Sequence, residues 1–140
     1  MNKRTILVLV VLIAAIGGGY VWKEFNRGAA KADDLPVKET VTAQDLMTAF
    51  ATDESAATTR FVGTAEQVVQ VSGTIRAIEP AGKELTNIIL GTDNELAGIV
   101  CEFAPADVPA DWRSGASVTV KGICTGMLMD VVLVRCTAVE

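Results

Sequence analysis

Residues 120–136, with the sequence VKGICTGMLMDVVLVRC, decide the fold because they predict two apolar strands folded back on each other. Small and apolar residues recur at every second position of each strand, whereas Lys121 and Arg135 fall between them. Such alternation is typical of a strand with one face against an apolar interior and the other in water. Each strand also carries one cysteine, Cys124 in the first and Cys136 in the second.

Three further strands are predicted upstream, over residues 69–77, 85–90 and 97–103, each bounded by Gly, Pro or polar turn residues. Gly73 interrupts the first of them, where a bend or bulge is expected. The connection over residues 104–115 has room for one helical turn, and the pattern contains no helical crossover between strands. These features predict a mainly β fold, a five-stranded Greek-key barrel of the OB-fold type, which removes its sheet edges by closure.

A helix is predicted in front of the barrel, over residues 42–62. Thr42 is a suitable N-cap with Asp45 three residues later, and apolar residues follow at helical spacing. Gly63 ends the pattern, as glycine commonly does just beyond a last helical turn. The OB-fold domain is therefore expected to span residues 42–140, including this helix.

The N-terminal segment is apolar enough to enter a membrane. Residues 5–22, TILVLVVLIAAIGGGYVW, carry no charge, and as a helix they would rise about 27 Å, close to the hydrocarbon thickness of a bilayer. Tyr20 and Trp22 then fall at the water interface, where aromatic side chains are enriched. Residues 1–26 are therefore predicted to form a membrane anchor or signal segment that binds the membrane through its helix.

Residues 27–41 mix small, charged and proline residues without apolar periodicity, which predicts a flexible tether. Ala30, Lys31 and Ala32 resemble a signal-peptidase cleavage site, so removal of the anchor stays open. Retention is favoured because the apolar run ends near Ile16 and a charged spacer follows. The domain is then expected to be anchored to the membrane on its extracytoplasmic side.

The predicted exported part is acidic. From Asp33 onward the sequence contains seven basic and sixteen acidic residues, a net charge of −9. Nucleic-acid backbones bind through several Lys or Arg side chains that neutralise phosphate charge, so this balance argues against nucleic acid as a partner. The acidity is equally expected of a domain that simply stays soluble.

The three cysteines are predicted to point into the barrel. Disulfides persist in an extracytoplasmic compartment, and a Cys124–Cys136 bridge between neighbouring strands is preferred, with a stabilisation of about 3 kcal/mol. Cys101–Cys136 is the competing pair, because the third and fifth strands of an OB-fold are also neighbours. The alternative is that all three side chains act as small hydrophobic groups.

Catalytic and metal-binding chemistry finds little support in the sequence. The chain contains no histidine, which removes the usual general base and the Ser-His and Cys-His nucleophile pairs. It has no Cys-x-x-Cys pair, no calcium-loop spacing of carboxylates and no glycine-rich phosphate loop. The sequence therefore predicts a protein that is not an enzyme and that has no catalytic residue, metal or cofactor.

Thr74, Arg76 and Asn87 are the nearest polar candidates for a ligand-binding face on the barrel. No aromatic side chain is predicted to point outward from the first three strands, so the stacking platform of nucleic-acid-binding OB-folds is missing. A solvated surface explains the three polar residues equally well.

Four stretches carry a resemblance to a known family. They are DESAATTRFVG (53–63), VVQVSGTIRAIE (68–79), VTVKGICTG (118–126) and DVVLVRC (130–136). In this order, over residues 42–139, the chain resembles the tRNA_anti-like family of bacterial OB-fold proteins. The resemblance implies a barrel, often exported behind a signal or lipoprotein sequence, and it implies no established activity. Together with the predicted anchor, it implies a location in the bacterial cell envelope, on the extracytoplasmic (periplasmic) side of the membrane. The chain departs from the lipoprotein members because it lacks a cysteine near the N-terminus that could carry lipid.

The function expected from these features is that of a membrane-anchored, extracytoplasmic OB-fold binding or interaction module without catalytic activity. Its partner would be a protein, a peptide or a small ligand of the cell envelope. The alternative is a single-stranded nucleic-acid-binding OB-fold protein, which would require a very uneven distribution of charge.

Overall fold

The computed structural model of the protein describes residues 2–25, 31–65 and 67–140. The first element is the helix α1 (Lys3–Phe25), whose apolar stretch is not covered by any other described residue. It is long and apolar enough to cross a membrane, a property that membrane spans share with signal sequences. The first part of the predicted tether, residues 27–30, and the last residue of the predicted anchor segment lie outside the described residues.

The described residues beyond α1 are mainly β, as the sequence predicts. The strands are β1 (Val37–Thr42), β2 (Val68–Ala81), β3 (Leu85–Leu90), β4 (Ile99–Phe103), β5 (Ser117–Met127) and β6 (Val131–Ala138). The helices are α2 (Ala43–Thr52) and α3 (Glu54–Ala57), and α3 continues into a π-helical turn (Thr58–Val62). Short 3₁₀ turns lie at Ala32–Asp34 and Pro105–Asp107.

The strands pair in the order β1-β2-β3-β4-β6-β5, and β2 also pairs with β5. This additional pairing closes β2, β3, β4, β6 and β5 into a ring. The pairs are antiparallel except for β4–β6 and β1–β2. The long strand β2 pairs with β5 through residues 68–74 and with β3 through residues 75–81. Its register shifts between Ile75 and Ala77, two residues beyond Gly73, where the sequence predicts the bend.

The prediction of five strands is wrong, because the sheet contains a sixth strand, β1, within the predicted tether. β1 pairs in parallel with residues 68–72 of β2, the stretch that pairs with β5 on the opposite edge. Only Val37 and Val41 are apolar in β1, and its side chains are at most half-buried. The strand is therefore held by backbone pairing with β2, which its own side-chain pattern does not reveal.

The rest of the described tether also packs on the sheet. Ala32 is completely buried and packs with Val68 and Ile123, two buried residues that point to the outside of the ring. Leu35 and Val37 cover the edge of this small apolar cluster. The segment from residue 31 onward therefore lies against the domain.

The helical segment occupies residues 43–62, close to the predicted range, but in three pieces. The Thr42 hydroxyl caps α2 by accepting a hydrogen bond from the Asp45 backbone N–H at 3.1 Å. Asp53 ends α2 and caps α3, because its carboxylate accepts from the Ala56 N–H at 3.0 Å. The helices bury an apolar face that joins the ring interior in one cluster.

The interior face of β6 differs from the predicted alternation. The alternation predicts that Val132, Val134, Cys136 and Ala138 point inward. The buried apolar residues of β6 are instead Val131, Leu133 and Cys136, and the polar Thr137 is buried as well. Arg135 has a positive φ of 52°, and the pairing with β5 shifts across this residue, between the Thr137–Lys121 and Val134–Ile123 pairs. The irregular backbone resets the alternation, so the apolar side chains that β6 buries stand at odd positions before Arg135 and at an even position after it.

The predicted disulfide is wrong, because all three cysteines are free and buried. Cys124 lies opposite Leu133 in the β5–β6 register. Cys136 instead lies over Gly122, and a β-carbon built there would be 2.6 Å from its Sγ atom. The preferred Cys124–Cys136 pair therefore does not face across the strands.

The competing pair, Cys101 and Cys136, is in contact as two thiols and is not bonded. The pKa of the Cys101 thiol is raised well above its ordinary value, first by the hydrogen bond with Cys136 and then by burial. Burial also raises the pKa of Cys124. The cysteines thus behave as small interior side chains, the alternative that the sequence left open.

Candidate functional site

The predicted ligand-binding residues lie in three different environments. Thr74 is exposed beside an open groove. Arg76 is occupied by the loop between β3 and β4, since its Nη1 atom donates to the carbonyl oxygens of Asn94, Glu95 and Ala97 at 3.4, 3.3 and 3.2 Å. The guanidinium of Arg76 therefore braces this loop.

Asn87 lies away from Thr74, near the opposite end of β3. The backbone N–H of Gly91 donates to the Thr74 carbonyl oxygen, so Gly91 lies beside Thr74. Asn87 comes four residues before Gly91, which corresponds to roughly 13 Å along an extended chain. Asn87 pairs with Glu79 on β2 and Glu102 on β4, and its Oδ1 atom is buried without a hydrogen-bond partner among the described residues. The three predicted residues do not form one site.

Thr74 belongs to an open groove beside the place where β1 passes into α2. The groove has a volume of about 610 Å³. Its lining consists of Thr42, Ala43, Gln44, Ser72, Gly73, Thr74, Gly91, Trp112, Ser117, Val118, Thr119 and Val139. None of these residues is charged, although the protein is acidic as a whole.

Two neighbouring strands supply the polar floor of this groove. Ser72 on β2 pairs with Thr119 on β5, and Thr74 pairs with Ser117. Neighbouring side chains on the same face are separated by about 5 Å across the strands and about 7 Å along them. The flanking Val71 points into the interior, so these four hydroxyl side chains point outward. We call them the hydroxyl grid.

None of the four hydroxyl groups of the grid donates or accepts a side-chain hydrogen bond within the described part of the chain. Each hydroxyl can donate one hydrogen bond and accept two. The grid therefore offers several donors and acceptors to a molecule that lies on β2 and β5.

Trp112 and Gln44 border the groove on different segments. Trp112 is half-buried and meets the Phe103 ring edge-on, with the centroids 5.6 Å apart. Gln44 accepts a hydrogen bond at its Oε1 atom from the Asp93 N–H at 2.7 Å, which joins α2 to the β3–β4 loop. The two borders are therefore fixed by contacts inside the domain.

The grid residues Ser72, Ser117 and Thr119 are missing from the sequence prediction. Alternation along β2 already places Ser72 and Thr74 on the outer face. The sequence does not show that β5 pairs with β2 in a register that puts Ser117 and Thr119 beside them. Trp112 lies in a connection, whose path over the surface is set by tertiary contacts.

The acidic side chains lie elsewhere on the described surface. Glu79 and Glu102 flank Asn87 on the outer face of β2, β3 and β4. Within residues 2–25, 31–65 and 67–140, no three Cys, Asp or Glu side chains come together in a group that could hold a metal ion.

Comparison with known proteins identifies a similar structure and the family. A proposed nucleic acid-binding lipoprotein from Klebsiella pneumoniae subsp. pneumoniae resembles this chain, with a TM-score of 0.57 and 17% sequence identity. The similarity covers 72% of this chain and 92% of that chain, and it shows a shared fold. No curated protein matches the chain. The tRNA_anti-like family model matches residues 1–138, so the chain belongs to the tRNA_anti-like family.

Proposed function

We propose that the protein is a membrane-anchored, extracytoplasmic OB-fold module that binds its ligand in the groove and performs no catalysis. The observation that carries this proposal is the open, uncharged groove with the hydroxyl grid, whose four hydroxyl groups have no side-chain hydrogen-bond partner among the described residues. Unpaired polar groups in a concave surface with fixed borders favour recognition of a ligand.

The ring of five strands supports assignment as an OB-fold barrel. β2 is long, bends near Ile75 and pairs on successive halves with β5 and β3. This sharing of one bent strand between two partners is how a small Greek-key sheet closes on itself. β1 is then an addition to the barrel, joined to the free part of the β2 edge.

The chemistry of the groove supports binding without catalysis. A hydroxyl group becomes a nucleophile when an adjacent base takes its proton. The chain contains no histidine, and the lining of the groove provides no carboxylate, lysine or cysteine beside Ser72 or Thr119. These hydroxyl groups are suited to hydrogen bonding with a bound molecule.

The α1 helix supports placement in the cell envelope. Its apolar stretch is suited to a bilayer, and Lys31 is the first charged residue of the described segment that packs on the domain. A short connection between α1 and this segment would hold the groove near the membrane surface. We place the domain on the extracytoplasmic side of this membrane.

A site-specific cross-linking experiment tests the proposal without assuming a ligand class. Thr74 is replaced by p-benzoylphenylalanine in the full chain, produced in its own host, and the matched control carries the same group at exposed Lys83. Illumination should give an adduct at position 74 that position 83 does not give. Equal adducts at both positions, or none at position 74, would contradict ligand binding in the groove.

A single-stranded nucleic-acid-binding protein remains the second candidate, favoured by the shared fold with the Klebsiella lipoprotein. The groove has no Lys or Arg side chain to neutralise phosphate, and Glu79 and Glu102 occupy the outer face of β2, β3 and β4. We therefore expect no salt-sensitive binding of a labelled thymidine oligomer to the full chain in detergent at 50 mM salt. Tight binding that weakens steeply at 200 mM salt would favour this second candidate.

A further inference from the structure

We propose that the groove binds a neutral oligosaccharide strand through the hydroxyl grid and Trp112. This inference rests on the proposed binding function and adds the chemical class of the ligand. Its basis is the combination of unpaired hydroxyl groups, one aromatic side chain and a lining without charge.

The hydroxyl grid matches the hydrogen-bonding pattern of a sugar. A sugar hydroxyl both donates and accepts hydrogen bonds, and so does each Ser or Thr hydroxyl of the grid. The Ser72–Thr119 and Thr74–Ser117 pairs form two rows on adjacent strands. A linear oligosaccharide that crosses these rows would exchange hydrogen bonds to water for hydrogen bonds to the protein, and no charged group would be left without a partner.

Trp112 supplies the apolar partner that such a strand requires. One face of a pyranose ring presents C–H groups, which pack against aromatic rings, while its hydroxyl groups remain at the ring edge. Tryptophan combines a large apolar surface with a polar N–H group and is well suited to this contact. The edge-on contact with Phe103 limits the positions of the Trp112 ring at the border of the groove.

The absence of charge in the lining selects against other ligand classes. A nucleic acid or an anionic polysaccharide would bring phosphate or carboxylate groups to an acidic domain with no cation in the groove. The volume of about 610 Å³ lies within the range of about 300–1,000 Å³ that is usual for small-ligand sites. A neutral oligosaccharide of a few rings fits both observations.

Trp112 also serves as the reporter for the experiment. The chain has two tryptophans, so the full chain with Trp22→Phe in detergent leaves Trp112 as the single tryptophan. Its emission is followed during titration with the β-1,4-linked tetramer of N-acetylglucosamine, with cellotetraose, and with the anionic tetramer of galacturonic acid. We expect a saturable change with at least one neutral tetramer and at least tenfold weaker binding of the anionic one.

Variants of the grid test whether the sugar lies where we propose. Ser72→Ala and Thr119→Val should each weaken binding about five- to tenfold, since each removes one ligand hydrogen bond. The matched control is Thr40→Val, an exposed β1 residue outside the groove lining, which should leave affinity unchanged. Far-ultraviolet circular dichroism of each variant verifies that it is folded.

The outcomes separate the ligand class from the binding function. No response to either neutral tetramer at millimolar concentration would overturn the oligosaccharide inference, and so would equal weakening by Thr40→Val. If the cross-linking experiment still gives an adduct at position 74, the groove binds another ligand class. If that adduct is also missing, the proposed binding function fails with it.

Discussion

Gly122 shows how one residue controls the interior of the ring. A β-carbon at this position would lie 2.6 Å from the Sγ atom of Cys136 and 2.9 Å from the Cβ atom of Leu133. Both neighbours are almost completely buried. Close packing leaves no room for an added methyl group, so Gly122 allows β6 to approach β5 closely.

The substitution Gly122→Ala is therefore expected to lower the free energy of unfolding by about 1–3 kcal/mol, the usual cost of overpacking. Urea denaturation of the full chain in detergent, followed by circular dichroism, measures this change. The matched control is Gly91→Ala, where the added β-carbon makes only ordinary contacts at 3.8 Å. Equal midpoints for the two variants would show that the interior adapts to the methyl group.

The thiols give a second prediction for single residues. The thiolate is the form that reacts with iodoacetamide, and the raised pKa values of Cys101 and Cys124 keep both thiols protonated above the pH at which a free thiol ionises. In the folded protein without reductant, alkylation at pH 8 should be slow at all three cysteines. Denaturation should then give three adducts by intact mass, because none of the cysteines is bonded.

A chain that takes up a single adduct after denaturation would contain a disulfide and would contradict the structure. Raising the pH should speed alkylation of Cys124. Because the pKa of this thiol is raised, the rate should increase at a pH above 9.0, the ordinary pKa of a cysteine thiol. N-acetylcysteine under the same conditions provides the reference for an unburied thiol.

Among the elements, the segment before β1 differs most from its prediction, because it packs on the sheet where the sequence predicts a flexible tether. Ala32 is buried against Val68 and Ile123 on the outside of the ring, and Lys31 forms an ion pair with Asp107 at 2.8 Å. The ion pair is largely exposed and contributes little on its own. The apolar contact therefore holds this segment on the sheet and places β1 beside β2.

Replacing this alanine tests the role of the segment. Ala32→Glu puts a carboxylate into the small apolar cluster, so we expect a loss of about 1–3 kcal/mol in the free energy of unfolding. The neighbouring substitution Asp33→Ala is the control, since Asp33 is mostly exposed and makes only a 3.5 Å ion pair with Lys121. Urea midpoints compare the two, and a midpoint for Ala32→Glu equal to that of the control would contradict the packing.

Over the whole molecule, an apolar helix precedes an acidic domain. The chain has a net charge of −5, whereas the part from Asp33 onward has −9, so the N-terminal segment carries the excess of basic residues. Such a distribution is typical of a protein whose N-terminal segment meets a membrane while its domain stays in water.

Retention of the anchor predicts that envelope fractions contain the full chain of 14.7 kDa, resistant to extraction at alkaline pH. The double substitution Leu9→Arg and Leu12→Arg should release it, because an arginine near the centre of a span costs about 2.5–3.5 kcal/mol. The conservative pair Leu9→Ile and Leu12→Ile serves as the control. An intact mass that corresponds to a chain beginning at Asp33 would instead show cleavage after Ala32.

Part of the hydroxyl grid could be predicted and part could not. The alternation along β2 places Thr74 on the outer face, where it is predicted as a ligand-binding residue. Arg76 and Asn87 follow the same rule, yet Arg76 is taken by the β3–β4 loop and Asn87 lies near the far end of β3. Alternation gives the face of a residue, whereas its neighbours depend on the pairing of distant strands.

The sequence by itself determined the apolar N-terminal helix, the helical segment before the ring and the approximate positions of five strands. Each of these follows from local patterns, namely a run without charge, a capping residue with helical spacing, or alternation of apolar and polar residues. These patterns act over one or two turns or one strand, and they can be read without knowledge of the rest of the chain.

Only the tertiary structure decided the pairing of β1 with β2, the free state of Cys124 and Cys136, and the meeting of Ser72 with Thr119. Each of these depends on register between segments far apart in sequence. A shift of one residue at a bulge, as near Arg135, reverses which side chains face the interior. The packing of the whole interior selects that register, because it must exclude water from every buried side chain at once.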